Sequence, residues 1–383
     1  MSSSTFVYDP TALDFQENLQ GVYRTLRDRF PVYHGTDYDG DEYFVLSRFE
    51  DVWTAIHDTQ TFSNRQVKEA ERMKPMLVYM DPPVHPAHRN LVAKAFNPRR
   101  IADLEPKVRS VVNSVLDRCV QSPTCEFQHE FAAIVPSIVV GDLIGVPEEH
   151  QDTFRLWCED FLTFTETGED PATKIYGLFD ELLEERARAP KDDLMSALLA
   201  AEIDGERLSR DDLLGFCLLL ILGGLDTTTN LMAGGLELLA RHPDQRKQLA
   251  ANPAMMANAV EEMLRVVSPT QALPRGTTHD VDMHDVTIPA GSRVSVIFAS
   301  ANLDEREFVD PDAFDIERKI TRHVAFGHGI HFCLGAPLAR METRIALDEI
   351  LRRFPHYEVD RAVRLRSSWA RAFEELVVRF DPA

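Results

Sequence analysis

The chain has 383 residues and sets 41 Lys and Arg against 62 Asp and Glu, a formal charge of −21. That charge repels phosphate backbones and anionic lipid surfaces, so neither nucleic acid nor a membrane is an expected partner. The five cysteines, Cys119, Cys125, Cys158, Cys217 and Cys333, are scattered, odd in number and without a C-x-x-C pair; they suggest neither a disulfide framework nor a zinc ribbon, and they suit a reducing, cytoplasmic location.

The opening MSSSTFVYDPTALDF lacks a basic start followed by an apolar run, so no signal peptide or membrane anchor is expected. EYFVLS near residue 45 reads as a short strand. In DPPVHPAHRNLVAKAF, residues 81 to 96, a helix follows two prolines and puts His85 and Arg89 one turn apart on one face. Two donors so placed can grip a carboxylate, although a charged surface turn is the simpler account. Residues 100 to 265 read mostly as amphipathic helices, with apolar residues at three- and four-residue steps in IADLEPKVRSVVNSVLDRCV, DDLMSALLAAEI and AMMANAVEEMLRVV. APKDD, residues 189 to 193, is the best candidate for a mobile break, but it is too short to separate domains. With no repeat and no linker tract, one domain over residues 1–383 is expected.

The most apolar stretch runs from Leu213 to Leu225 between Asp211, Asp212 and Asp226. It has roughly half to two-thirds of the length a bilayer needs, and predicts a buried core helix. Within LLILGGLDTTTN, residues 219 to 230, Gly223 and Gly224 break the apolar run and Asp226 and Thr227 follow. Both glycine pairs and β-branched threonines weaken a helix interior, so this choice needs a compensating role. Close helix packing and a simple helix end would be one such role. Further on, Glu262 and Arg265 stand three apart in VEEMLRVV, where carboxylate and guanidinium can bond side by side; alone, this spacing usually means a solvated pair. TIPAGSRVSVIF near 290 and ELVVRF near the C-terminus read as strands, which gives a mainly helical protein with small sheets at the two ends of the chain.

FGHGIHFCLG, residues 326 to 335, admits three readings. It can be a glycine-rich turn leading into a helix, with Cys333 as a small buried hydrophobe. It can be a zinc site from His323, His328, His331 and Cys333, although the spacing matches no standard finger. Or Cys333 can be a thiolate ligand to haem iron, with glycines letting the backbone pass close to a flat macrocycle and the following helix N-terminus stabilising the sulfur.

Phe326, Gly327, Gly329, His331, Cys333 and Gly335 stand as F-G-x-G-x-H-x-C-x-G, which resembles the haem-ligand loop of the cytochrome P450 family in its soluble bacterial, ferredoxin-dependent form. The resemblance implies a mainly α fold with small β-sheets, a triangular helical prism holding haem b between distal and proximal helices. It implies Cys333 as iron ligand, Phe326, Gly327 and Gly335 as haem-loop residues, and His85, Arg89, Arg275 and His331 as propionate contacts. It implies that Arg318 joins Glu262 and Arg265 in a buried network, and that Asp226 and Thr227 are the acid–alcohol pair that delivers protons beside a widened helical turn. Leu219, Leu222, Gly223, Ala272, Leu273, Trp369 and Ala370 would line an apolar pocket. Gln271 would either anchor a substrate group or point away. Lid segments near residues 62–80 and 155–180 would bring Met73, Met76, Met80, Trp157, Phe161 and Phe164.

The implied activity is insertion of one atom of O2 into a C–H bond of a terpenoid, steroid, fatty acid or aromatic compound. No G-x-G-x-x-G unit, flavin-like half or iron–sulfur cysteine set is present to supply electrons. A ferredoxin with its reductase is therefore expected, docking on Arg89, Lys94, Arg99, Arg100 and Arg340, and the enzyme is expected to be a monomer. The other reading is a haem-binding sensor or carrier without turnover, in which Asp226 and Thr227 would have no task.

Overall fold

The computed structural model describes residues 6–36, 40–67, 74–93, 96, 98–163, 171–191, 193–203 and 206–381. About 54% of the chain is helical. The elements that matter for function are, in chain order, α1 (Leu19–Arg29), β1 (Val32–Thr36), β2 (Glu42–Leu46), α2 (Phe49–His57), β3 (Phe62–Ser63), α3 (Val84–Ala93), α4 (Glu105–Cys119), β4 (Cys125–Glu126), a π-helical turn (Gln128–Ala132), α5 (Ile134–Ile144), α6 (Arg210–Gly224), α7 (Asp226–Arg241), α8 (Met256–Val267), β5 (Ala272–Thr277), β6 (Arg293–Ile297), α9 (Ala336–Arg353) and β7 (Phe373–Asp381). The chain folds into two compact units, each assembled from three separate segments.

The first unit gathers Met1–Lys68, Asn258–Cys333 and Ala362–Glu374. Its main sheet has the order β1-β2-β6-β5-β3, with a parallel β2–β6 pair among antiparallel neighbours. The strands expected near residues 45 and 290 are both there, but they share one sheet rather than forming separate sheets at the two chain ends. Val294 and Val296 of β6 alternate inward, meeting Phe44 and Leu46 of β2 and the buried face of α2. Val324, at the entry to the cysteine loop, belongs to the same core.

The second unit gathers Glu69–Ala257, Leu334–Arg361 and Glu375–Ala383. Pro106 falls in the first turn of α4, where a missing N–H costs nothing. That proline splits the expected helix at Leu104 into Pro98–Asp103 and α4. Ser209 and Asp212 start α6 with a reciprocal capping box. Leu213, Leu214, Phe216, Cys217, Leu218 and Ile221 are buried, so the apolar run is a core helix as expected. The span Arg210–Arg241 is long and apolar enough to cross a membrane by composition, yet 61% of its apolar window is buried inside the protein and the helix is broken at Leu225. In this unit Val377 and Val378 of β7 pair with Glu126 and Cys125 of β4.

Candidate active site

In the first unit, the Glu262–Arg265 pair is fully buried and doubly bonded, Arg265 Nε to Oε2 and Nη2 to Oε1, both at 2.7 Å. Arg318 Nε donates to the same carboxylate at 3.1 Å, so the expected three-residue network is present. Arg265 Nη1 also donates to the carbonyls of Asn302 (2.9 Å) and Pro311 (2.7 Å). Asn302 then extends the network: its Oδ1 accepts from the Val324 N–H at 2.8 Å and its Nδ2 donates to Ser268 Oγ. One buried amide thus ties the ion network to the first residue of the cysteine loop. Asn302 belongs to no motif, and nothing in the sequence singles it out.

The loop is closed by Gly327 N–H to Val324 O (2.9 Å) and Cys333 N–H to Phe326 O (3.0 Å). Gly327 and Gly329 adopt left-handed φ of +64° and +67°, and a Cβ on Gly329 would sit 3.2 Å from the Ile56 carbonyl. A single 3-10 turn, Gly329–His331, carries His331. His328 turns outward, bonding His57 across 2.8 Å and packing on Trp53 with ring centroids 4.3 Å apart. His323 bonds Glu261 at 3.1 Å and accepts the Ala325 N–H. The zinc reading therefore fails: among the described residues no three His, Cys, Asp or Glu side chains converge on a metal site.

Cys333 differs from the other four cysteines. They are buried, whereas Cys333 is only partly so. Burial pushes the Cys217 thiol up to about 12 and raises Cys158, while a bond with Cys119, with burial, raises Cys125. Such thiols stay protonated at neutral pH. Cys333 stands just ahead of α9, whose N-cap is Gly335 and whose second residue is Pro337.

Arg275, on β5, is buried and donates to the Pro274 carbonyl at 2.8 Å. Gln271 is a structural residue. Its Oε1 accepts from the Tyr23 hydroxyl at 3.0 Å, and its Nε2 donates to the carbonyls of Ser367 (3.1 Å) and Ala370 (2.8 Å). Both ends of the amide are used in joining α1 to the 367–370 turn. Gln271 N–H also bonds the Trp369 carbonyl, and Thr270 bridges Ala370, so the 369–370 segment runs beside the residues that lead into β5.

In the second unit, His85 and Arg89 lie on α3 as expected, His85 buried and Arg89 partly so. Burial, reinforced by the Arg89 charge, lowers His85 to about 4. His85 is therefore a neutral donor beside a cation. Helix α6 stops at Gly224 and α7 starts at Asp226, with Leu225 at ψ −68° between them. The Thr227 hydroxyl donates to the Gly223 carbonyl at 2.8 Å across this break. The two glycines differ in role. A Cβ on Gly224 would meet Val140 of α5 at 3.0 Å, whereas one on Gly223 would meet nothing within 4 Å. Gly224 serves close helix packing, and Gly223 faces open space. Leu219, Leu222, Gly223, Asp226 and Thr227, none of them fully buried, recur at helical spacing across the break. Asp226 is raised to about 6 by burial, against a hydrogen bond from Asn230.

Met76 is buried and Met80 and Trp157 partly so. Lys94, Met73 and Phe164 lie outside the described residues, as do the side chains of Arg99, Arg100 and Phe161.

A partly exposed thiol on a glycine-shaped loop, with a buried guanidinium in its unit, fits a flat anionic cofactor bound through iron. A sequence model of the family described as cytochrome P450 matches residues 150–368. The chain is 38% identical to a putative cytochrome P450 123 of Mycobacterium bovis, covering 97% of this chain and 96% of that one. It is 34% identical to a steroid C26-monooxygenase of Mycobacterium tuberculosis (95% and 94%) and 35% identical to a vitamin D(3) 25-hydroxylase of Pseudonocardia autotrophica (100% and 98%). Its fold matches the structure of cytochrome P450 CYP109Q5 from Chondromyces apiculatus with a TM-score of 0.91 and 37% identity, over 98% of each chain.

The chain belongs to the cytochrome P450 family. It is a haem monooxygenase, an oxidoreductase whose cofactor is iron protoporphyrin IX, and it works with a redox partner, O2 and an apolar substrate.

Proposed function

We propose that residues 1–383 act as one cytoplasmic, monomeric domain that hydroxylates an unactivated C–H bond of a largely apolar small molecule, with electrons from a ferredoxin and its reductase. Among the candidate substrates the steroid class is favoured, because relatives at 34% and 35% identity bear the names steroid C26-monooxygenase and vitamin D(3) 25-hydroxylase. The observation that carries the reading is the interrupted helix at Leu225, across which Thr227 bonds the Gly223 carbonyl at a point where a Cβ on Gly223 would meet nothing within 4 Å.

Bound haem supplies oxygen activation and electron acceptance, and a thiolate ligand favours cleavage of the O–O bond. The chain's own residues do the rest. Cys333 would ligate the iron, and the Phe326, Gly327 and Gly335 backbone would shape the cradle. His85, Arg89, Arg275 and His331 are the candidates that would hold the propionates, with the guanidiniums as charge-assisted donors. Asp226, raised to about 6, gains and loses a proton near neutral pH. It would pass that proton to water, which the Thr227 hydroxyl holds in place by accepting its hydrogen bond while its own hydrogen bonds Gly223. Leu219 and Leu222 keep bulk water from this path.

The test is a panel of sterols, terpenoids, fatty acids and aromatics screened by the spin-state shift of the ferric enzyme, with products identified by mass spectrometry. Sterols giving the largest shift and a single hydroxylated product would support the reading. Turnover of fatty acids alone would replace the steroid class.

A further inference from the structure

Gln128 and Asn230 are polar residues in apolar company, in EFQHEFAAIV and TTTNLMAGGL, and the mechanism above leaves both without a task. Both are buried, Asn230 completely and Gln128 with 4% of its surface exposed. Asn230 Nδ2 donates to Asp226 Oδ2 at 3.0 Å, and Gln128 Nε2 donates to Asn230 Oδ1 at 3.0 Å. Gln128 opens the π-helical turn, and that turn is fastened to α7 a second time by Thr229 Oγ1 donating to the Ala132 carbonyl at 3.1 Å. Single π turns recur at functional sites. Gln128 Oε1 has no hydrogen-bond partner among the described residues, so the amide satisfies one end only. Packing alone would favour leucine there.

We propose that Gln128 and Asn230 are positioning residues for Asp226, two buried amides in series that hold its carboxylate by one oxygen and decide which end of the Asn230 amide it meets. This rests on the proton-delivery role given to Asp226 above. An asparagine amide has a donor end and an acceptor end. Because Gln128 donates to Oδ1, Asn230 is turned with Nδ2 toward Asp226. Were it reversed, two acceptors would meet, a geometry only a protonated Asp226 tolerates. Gln128 thereby favours the ionised carboxylate, in opposition to burial. The influences on Asp226 are that burial and the Asn230 bond. The titratable and charged groups on the elements packed against α7 are not among them: His129 and Glu130 of the π turn, Asp142 of α5, Arg210, Asp211, Asp212 and Cys217 of α6, Asp244, Arg246 and Lys247 of the helix Pro243–Ala251, and Arg340, Glu342, Arg344, Asp348, Glu349, Arg352 and Arg353 of α9.

The experiment is an infrared titration of carboxyl bands in the holoenzyme with 13C-labelled aspartate, Asp226→Asn assigning the band, alongside product formed per electron consumed. Asn230→Ala and Gln128→Leu are each expected to raise the Asp226 titration by about one unit, a tenfold change in the protonated-to-ionised ratio. The double variant should move it no further than Asn230→Ala, because Gln128 acts through Asn230. Thr229→Val, which loosens the same helix contact without touching the amides, should leave the titration where it is. Gln128→Leu preserves volume, so it decides the matter if Asn230→Ala fails to retain haem. An Asp226 titration unmoved by Gln128→Leu, or additive shifts in the double variant, overturns the proposal. If instead Asp226→Asn leaves coupling intact while the titration shifts appear, proton delivery by Asp226 is what fails, and the ladder stands.

Discussion

Cys333 and Thr227 show how far single residues could be read without coordinates. Cys333 stood out because its neighbours are glycines at fixed spacing, and backbone conformation bears that out: Gly327 and Gly329 take left-handed φ that other residues resist. Cys333→Ser should yield protein that loses the long-wavelength Soret band of its ferrous–CO complex, measured against total haem; an unchanged spectrum would remove the thiolate assignment. Thr227→Ala should keep substrate affinity while sending electrons to peroxide instead of product, read as peroxide per NADH oxidised; unchanged coupling would take Thr227 out of proton delivery. Gln271 could not be settled from sequence, because its role depends on Tyr23 and Ser367, 248 and 96 residues away. Asn302 was invisible for the same reason: its partners lie in α8 and at Val324, and a lone asparagine in a turn carries no periodic signal.

At the scale of elements, helices such as α4 and α8 were legible because each carries its own apolar period, whereas strand β5 was not. ALPRGT contains proline and glycine and does not alternate, and it becomes a strand only by pairing with β6 and β3. The Glu262–Arg265–Arg318 network was legible as a spacing but not as a scaffold. Arg265→Ala removes two of the three guanidinium bonds to buried Glu262 and should cost about 3–5 kcal/mol. Because Asn302 links that network to the cysteine loop, the variant should also release haem at lower denaturant than the parent; equal midpoints would disconnect the two. Helix α9 holds Glu342, fully buried, whose Oε1 has no hydrogen-bond partner among the described residues, and burial lifts it to about 8. A carboxyl whose folded value lies above its unfolded one stabilises the fold fully below the unfolded value, near 4.5. That contribution falls away as pH climbs through about 8. Melting temperature should therefore decline between those limits, and Glu342→Gln should flatten the decline. An identical slope in the variant would place the titrating group elsewhere.

For the whole molecule, the charge of −21 sets a constraint on electron delivery, since an acidic donor must find a local basic face. Arg340 lies on α9, partly exposed. Arg340→Glu should slow reduction by an acidic ferredoxin several-fold at low ionic strength, with the deficit shrinking as salt rises and substrate binding untouched; a salt-independent rate would exclude this docking face. The order of segments in space was the least legible property, because it depends on pairings across hundreds of residues and not on any local pattern. Each unit takes its third segment from the end of the chain, Ala362–Glu374 for one and Glu375–Ala383 for the other. On the ribosome, then, neither unit can complete its native packing until its segment beyond residue 361 has been made, and the several hundred residues before it must be kept from aggregating in the meantime.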